Sequence, residues 1–403
     1  MLHRLFLVCF LAFVSASYSL TLEEILREAS TRHPLLAVAE ARIQAASGKT
    51  TQAKLRPNPL FVYQTEDFRF WQSPGHRFWQ DADHFFYLQQ TFETASKRAR
   101  RVDVALANEE RAKIEVLLQR QFILARVRAA YWDAAGASQR EKLLEERLKA
   151  FDEITNYHRI QVREGAMAEA DLIRIELEEE KLSQLLTAAR IEATKQAIRL
   201  SREMGRSDTT AFSLDTPLSP TTPLATLTLE EALTNRAEAQ LAAQVHSIAR
   251  AQATLENALA TPNIDGVAGY KRSRTFDTVI WGAQVQLPIN NRNQGNIASA
   301  QAEISVADNA IRSTKALLEA ELKGAQTEAQ QRQAALSRLS TLRDRARQNA
   351  EIAQAAYRLG GADLLRLLDA QRSLLDTEQY YLEALIAFHQ SLAQLDSVAG
   401  VTP

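Results

Sequence analysis

Imidazole and carboxylate side chains, which together can bind zinc or a similar cation, occur close together in the stretch HRFWQDADH. The four candidate ligands are His76, Asp81, Asp83 and His84. Their spacing matches neither one face of a helix nor the ligand spacing of a zinc finger. We therefore interpret the stretch as a solvated loop and predict no metal site. The histidines of predicted helices, His158 and His246, are interpreted as surface or helix-seam residues.

The stretch RIELEEEK, Arg174–Lys181, contains a run of acidic residues that could attract cations into a channel lumen. Its glutamates cannot all point in one direction, because successive residues of a helix are rotated by about 100°. A solvated helix face is the favoured interpretation. The chain has no P-loop, nucleophile elbow, HExxH motif or paired cysteines, so we predict no enzyme and no cofactor. A net charge of −1 without a basic patch gives no reason to expect nucleic acid as a partner.

The first residues, MLHRLFLVCFLAFVSASYS, have the composition of an export signal. Arg4 precedes an apolar segment, residues 5–14, which is followed by small residues. This segment is too short to span a bilayer, so we predict a signal peptide over residues 1–16, with cleavage as late as residue 19. The single cysteine, Cys9, lies inside it, and its sequence context argues against lipidation.

The prolines divide the remaining chain into blocks that can form long helices. No proline occurs over residues 75–216 or 289–402, and both blocks are rich in good helix formers. Each block is interrupted once by glycine, at Gly165 and at Gly360–Gly361, and glycine commonly ends a helix. The sequence therefore predicts two antiparallel helical hairpins, at about 97–205 and 295–398. The first arm, about Lys97–Arg163, would be about 100 Å long.

The chain also contains an internal repeat. LTLEEIL at Leu20 recurs as LTLEEAL at Leu227, and LRPNPLFVY recurs as ATPNIDGVAGY. We predict structural repeats at 20–205 and 227–400, joined by a linker, 206–226, that is rich in proline, threonine and serine.

Alternating residues between the repeated Pro-Asn markers and the long helices predict strands at about 58–70, 83–93, 263–274 and 278–288. In TVIWGAQVQLP, apolar and polar residues alternate with period two. Four strands are too few to close a membrane barrel, so several chains must combine. At the strand-to-helix junctions, Pro288 cannot donate to a strand ladder, whereas Asn290 and Asn293 can turn the chain and cap the helix. Thr94 and Ser96 are the capping candidates in the first repeat.

The LTLEE openings, the Pro-Asn markers and LPINNRNQGNIASAQAEI resemble the TolC family of outer-membrane efflux channels over the mature chain. The motif NRNQGNIASA is most similar to the CzcC-like branch, whose channels serve heavy-metal pumps of the RND type. The resemblance implies a mostly α fold with a small membrane β part. A homotrimer would form a twelve-stranded β-barrel in the outer-membrane lipid of a Gram-negative bacterium and a periplasmic tube of coiled-coil helices. Such a passive duct works with a periplasmic adaptor and an inner-membrane RND pump.

The resemblance also assigns roles to the two hairpin turns, where the adaptor docks and the tube is constricted in this family. The implied docking residues are Arg163, Glu164, Gly165, Ala166, Asp171, Tyr357, Arg358, Leu359, Gly360 and Gly361. The implied periplasmic gate consists of Asp363, Arg366 and Asp369. The spacing of Arg366 and Asp369 allows an ion pair along the helix, so the gate need not be a simple acidic ring.

Alternative functions remain within and outside this family. The same architecture serves channels for drug efflux and type I secretion. A periplasmic adaptor would have one helical hairpin and long β domains, which does not match two repeats. A structural coiled-coil protein would explain the helices but neither the export signal nor the alternating strand residues.

Overall fold

The computed structural model describes residues 19–69, 71, 74–207, 213–214, 218–220, 222–224 and 227–401. The expected signal peptide, 1–16, and part of the predicted linker lie outside these ranges. The helices are α1 (Leu22–Arg32), α2 (Pro34–Ala53), α3 (Phe78–Asp81), α4 (Lys97–Arg163), α5 (Glu169–Glu203), α6 (Leu229–Asn235), α7 (Ala237–Leu259), α8 (Gln294–Arg358) and α9 (Leu364–Val398). The strands are β1 (Ser19–Leu20), β2 (Leu60–Glu66), β3 (Asp83–Phe92), β4 (Ser213–Leu214), β5 (Ile264–Arg272) and β6 (Asp277–Val285). The expected fold class, mostly α with a small β part, is confirmed.

The four longest helices, α4, α5, α8 and α9, all end in the same way. Each is followed by a glycine with a φ of 71° to 77°, namely Gly165, Gly205, Gly360 and Gly400. After α4, the Ala166 N–H donates to the carbonyl of Gln161 at 2.9 Å, and the Gly165 N–H donates to Val162 at 3.0 Å. This pair of bonds is a Schellman motif, which satisfies carbonyl groups that the helix itself leaves free.

The larger sheet is antiparallel, with the strand order β2-β3-β5-β6. Two hairpins, β2-β3 and β5-β6, are joined through β3 and β5, whose register pairs Leu88 with Ala268. The strands β2 and β6 are the edges, so each leaves one row of backbone groups without a strand partner among the residues that the structure describes. The two-residue strands β1 and β4 form a separate parallel pair.

The chain divides into two compact units, and each contains residues of both sequence repeats. The first unit consists of residues 1–36, 120–228 and 321–403, and its core includes Ile25, Leu124, Tyr131 and Leu200. The second unit consists of residues 37–119 and 229–320 and contains the four-stranded sheet. Among the helices of the described ranges, none is both long enough and apolar enough to cross a membrane.

Candidate functional site

The turn between α4 and α5 presents the first group of expected docking residues. Arg163 is the last residue of α4, and Glu164, Gly165 and Ala166 form the Schellman turn that follows it. The next helix begins at Glu169, and the backbone N–H of Asp171 donates to the Ala168 carbonyl at 3.1 Å. These residues therefore lie together at one end of the hairpin.

The turn between α8 and α9 repeats this geometry. The Gly361 N–H donates to the Ala356 carbonyl at 2.8 Å, and the Gly360 N–H donates to Tyr357 at 3.0 Å. Arg358 is the last residue of α8, and Leu359, which follows it, is 88% exposed.

A hydrogen bond links the last turns of α4 and α8. Nδ1 of His158 lies 2.6 Å from the Ile154 carbonyl oxygen, which can only accept, so Nδ1 carries the proton. Nε2 then accepts the hydroxyl proton of Tyr357 at 2.7 Å. Burial, with the nearby charge of Asp171 and the Tyr157 ring, raises the pKa of Tyr357, which keeps the hydroxyl protonated. His158 was expected at a helix surface or at a seam between helices. It lies at the seam, because the residue is 2% exposed.

The three expected gate residues lie at the start of α9. Asp363 is the N-cap, and its Oδ1 accepts the backbone N–H of Arg366 at 2.9 Å. Asp363, Arg366 and Asp369 are all exposed, whereas Leu364, Leu367 and Leu368 are buried. In the described part of the chain, Asp369 is 3.9 Å from Arg372, so its intrachain partner is this arginine and not Arg366.

Two carboxylates, Glu178 and Glu378, connect helices through contacts that the sequence did not predict. Glu378 of α9 is buried and accepts from Arg147 of α4 and, at 3.4 Å, from Arg347 of α8. Glu178 of α5 accepts from Nε of Arg372 of α9 at 3.1 Å, and this arginine holds the pKa of the carboxyl below its usual range. The interpretation of the acidic run as a solvated face is therefore wrong for Glu178. Partners separated by 31 to 231 residues leave no local sequence signal.

At the first strand-to-helix junction, the expected capping residue Thr94 has a partner outside the helix. The Thr94 hydroxyl donates to the Pro262 carbonyl at 2.5 Å, which ties this junction to the loop before β5. Ser96 has a φ of 56°, in place of the extended backbone usual for an N-cap. Ala95, with a φ of 51°, is left-handed as well.

The second junction is held by asparagine in a similar backbone conformation. Asn293 has a φ of 60°, and its side-chain amide donates to the carbonyl of Glu256 at 2.8 Å and to its carboxylate at 2.7 Å. Pro288 follows β6, and its carbonyl accepts from Nε of Arg292 at 3.2 Å. The Asn290 carbonyl accepts from the Gln294 side chain at 3.4 Å. Asn290 thus contributes its backbone carbonyl to the turn, and the Asn293 side chain binds α7.

Three of the four candidate metal ligands of HRFWQDADH, Asp81, Asp83 and His84, are held in separate interactions. His84 is fully buried, and its ring nitrogens lie 2.9 Å from the Tyr63 hydroxyl and 2.9 Å from the Phe78 carbonyl oxygen. Asp83 pairs with Lys271 at 2.7 Å, and Asp81 accepts the Arg77 N–H at 2.7 Å. The described residues contain no group of three or more His, Cys, Asp or Glu side chains placed to hold a metal ion. A solvated loop is nevertheless the wrong interpretation for His84.

The register of the sheet assigns side chains to two different faces. Phe61, Leu88, Ala268 and Trp281 form one row across the four strands, on the same face as Val279. Trp281 is 86% exposed and Val279 is 74% exposed. A row on the opposite face contains Thr91, Asp265 and Gln284. A sheet with one mainly apolar exposed face and an opposite face of mixed polar and apolar side chains suits a boundary between lipid and water.

Solved structures with the same fold are outer-membrane channels. The channel VceC from Vibrio cholerae is 20% identical, with 94% of this chain and 96% of that chain covered and a TM-score of 0.76. The MtrE channel from Neisseria gonorrhoeae, in its open state, is 18% identical, with 94% and 88% covered and a TM-score of 0.77. At these identities, the likeness concerns the fold.

Sequence comparison extends the likeness to function. The cobalt-zinc-cadmium resistance protein CzcC of Cupriavidus metallidurans is 24% identical over 392 residues, which cover 96% of this chain and 91% of the relative. The sequence model of the outer membrane efflux protein family matches residues 25–206 and 228–401. The expectations of an outer-membrane location and of transport without catalysis are confirmed by this match. The chain belongs to the outer membrane efflux protein family and is an efflux channel.

Proposed function

We propose that this efflux channel is the exit duct of a tripartite system for heavy-metal cations. The observation that carries the proposal is the similarity to a cobalt-zinc-cadmium resistance protein over 96% of the chain. The motif NRNQGNIASA, at the junction between β6 and α8, supports the same branch of the family. An inner-membrane RND pump and a periplasmic adaptor would complete the system.

The proposed working form is a homotrimer whose three sheets close a twelve-stranded barrel. The unpaired edges β2 and β6 support it, because a sheet in lipid must satisfy all its backbone groups. Four strands per chain give twelve in three chains, whereas four are too few for a closed membrane barrel. The exposed apolar row through Trp281 would face lipid, and the row through Gln284 would face the lumen.

The proposed adaptor-docking surface consists of the two hairpin turns, residues 163–171 and 357–361. Its support is the combination of two turns of identical hydrogen-bond geometry and the exposed side chain of Leu359. The hydrogen bond between His158 and Tyr357 fixes the two helices that lead into these turns. A rigid pair of turns presents a defined surface to a partner.

The proposed periplasmic gate is the exposed stripe of Asp363, Arg366 and Asp369. Arg366 has no carboxylate within ion-pair distance in the described part of one chain, so its guanidinium is free to pair with an acid of a neighbouring copy. Removing this charge is expected to loosen a closed entrance. Conductance of purified Arg366→Ala channels in planar bilayers should exceed that of the wild type, with Lys195→Ala on the exposed surface of α5 as the control. Unchanged conductance would remove Arg366 from the gate.

The cargo is tested by deleting the gene and restoring it on a plasmid. The deletion strain is expected to lose growth on zinc, cobalt or cadmium salts and to retain its resistance to common antibiotics. Complementation with the wild-type gene should restore growth. Sensitivity only to antibiotics would replace the metal proposal with a drug-efflux channel, while membership of the efflux family would be unaffected.

A further inference from the structure

A basic groove of about 910 Å³ lies between α2 and α4 in the sheet-containing unit. Five of its lining residues are cationic, Arg42, Lys49, Arg56, Arg101 and Arg111, whereas Glu115 is the only acidic one given by the described residues. Alanines of both helices and Leu55 and Pro57 form the apolar part of its wall. The groove therefore combines an excess of positive charge with apolar walls.

Two of the five cations have structural partners and define the groove. Arg101 donates to the carbonyls of Ala53 and Leu55, both at 3.2 Å, and pairs with Glu93. It thereby fixes the end of α2 against the start of α4. Arg111 pairs with Glu115 at 2.9 Å along α4. These two charges are already satisfied within the chain.

The other three cations are available to a ligand. Arg42, Lys49 and Arg56 are exposed, and none has a carboxylate within ion-pair distance among the residues that the structure describes. Arg42 and Lys49 are seven residues apart on α2, which places them on one face of that helix. The groove therefore carries positive charge that no acidic side chain of the described residues compensates.

The groove lies at one end of the sheet. Residues 54–59 lead from α2 directly into β2, and α4 begins shortly after β3 ends at Phe92. The first turn of α4 carries Lys97, Arg98 and Arg100 and no acidic residue. This arrangement opposes the helix dipole, which favours negative charge at an N-terminus. A layer of negative charge outside the chain at this level would compensate for it.

We propose that the groove binds the phosphate headgroups of anionic phospholipids, which Arg42, Lys49 and Arg56 contact at successive positions along it. The sheet meets lipid in the proposed barrel, so this inference rests on that part of the proposed function. Basic side chains beside an apolar membrane segment are where anionic headgroups bind. The lipid would be in the leaflet at the helix-bearing end of the sheet.

The test uses the full-length protein, purified in detergent, and native mass spectrometry with measurement of the melting temperature. Dioleoyl-phosphatidylglycerol is expected to be retained and to raise the melting temperature, whereas dioleoyl-phosphatidylcholine and inorganic phosphate are not. The triple variant Arg42→Gln, Lys49→Gln, Arg56→Gln should bind phosphatidylglycerol on the order of 100-fold more weakly. The control variant Arg312→Gln, Lys315→Gln, Lys323→Gln removes as much charge from α8 and should bind like the wild type.

Every other result of these measurements contradicts the lipid proposal, and each identifies a different failure. Equal effects of phosphatidylcholine or of inorganic phosphate would exclude an anionic lipid as the specific occupant. Unchanged binding in the triple variant would place the lipid elsewhere. Loss of the heat-resistant trimer in the triple variant alone would show that a second copy of the chain occupies the groove. If the wild type itself forms no such trimer in the outer membrane, the proposed barrel fails, which is distinguishable from failure of the lipid site.

Discussion

At the scale of single residues, His389 is a buried titratable group of the first unit. Its ring is 5% exposed and stacks on Trp132 with a centroid distance of 4.3 Å. Nε2 of this buried ring has no hydrogen-bond partner among the described atoms. Burial lowers the pKa of His389, partly offset by a hydrogen bond to the backbone of Ser219. Protonation of this ring therefore opposes folding.

The stability of the protein is expected to fall as the pH drops below about 6.5, the ordinary pKa of histidine. Because the pKa is lowered in the folded state, the unfolded chain takes up the proton first, and the stabilisation present above pH 6.5 is lost as the pH falls through the folded value. In His389→Phe, which keeps an aromatic ring beside Trp132, the melting temperature should change less between pH 7.5 and pH 5. Equal slopes for variant and wild type would contradict this assignment.

Residue pairs that join distant segments could not be read from the sequence. His158 and Tyr357 are 199 residues apart. The sequence around each of them is that of an ordinary exposed helix and gives no sign of the other. The pair becomes visible only when the ends of α4 and α8 are placed side by side. The same holds for Glu378, whose two arginine partners lie on two other helices.

At the scale of secondary-structure elements, the positions of the turns follow directly from glycine. Gly165 and Gly360 mark the ends of α4 and α8 because a left-handed residue ends a helix at little cost when it has no Cβ. The sequence predicted both interruptions. It did not predict that Ala95, Ser96 and Asn293 would adopt the same backbone region at the strand-to-helix junctions.

Replacing Gly360 by alanine is expected to destabilise the protein by about 1 kcal/mol, because its φ of 73° is costly for a residue with a Cβ. The matched control is Gly324→Ala, inside the same helix α8, where no atom lies within 4 Å of the new methyl group. This control should be neutral or stabilising by up to about 1 kcal/mol. Melting temperatures of the purified variants measure both effects, and a destabilised control with an unaffected Gly360→Ala would contradict the turn geometry.

At the scale of the whole molecule, the decisive feature is a sheet that is incomplete within one chain. Within the described part of the chain, its edges β2 and β6 have no strand partner, and its apolar face is exposed at Trp281 and Val279. Both features would be liabilities for a monomer in water. Both are expected of a chain of the outer membrane efflux protein family.

A lysine at Trp281 is expected to prevent stable assembly in the membrane, because a cation on the lipid-facing side costs about 2–4 kcal/mol near the bilayer centre. Gln284→Lys places the same charge on the same strand but on the opposite, polar face, and should be tolerated. The heat-resistant oligomer in outer-membrane fractions is the measurement. Tolerance at position 281 combined with loss of assembly at position 284 would reverse the assignment of the faces.

The sequence by itself determined the class of protein and the positions of its long helices and four main strands. Proline cannot continue a helix, glycine ends one, and alternating apolar residues define a two-faced strand, so these features are encoded locally in TVIWGAQVQLP and around Gly165. Only the tertiary structure decided which distant side chains meet. Ion pairs and burial are properties of contacts in space, so they depend on how helices and strands pack. Three features of this kind are the ion pair of Asp369, the burial of His84 and the basic groove between α2 and α4.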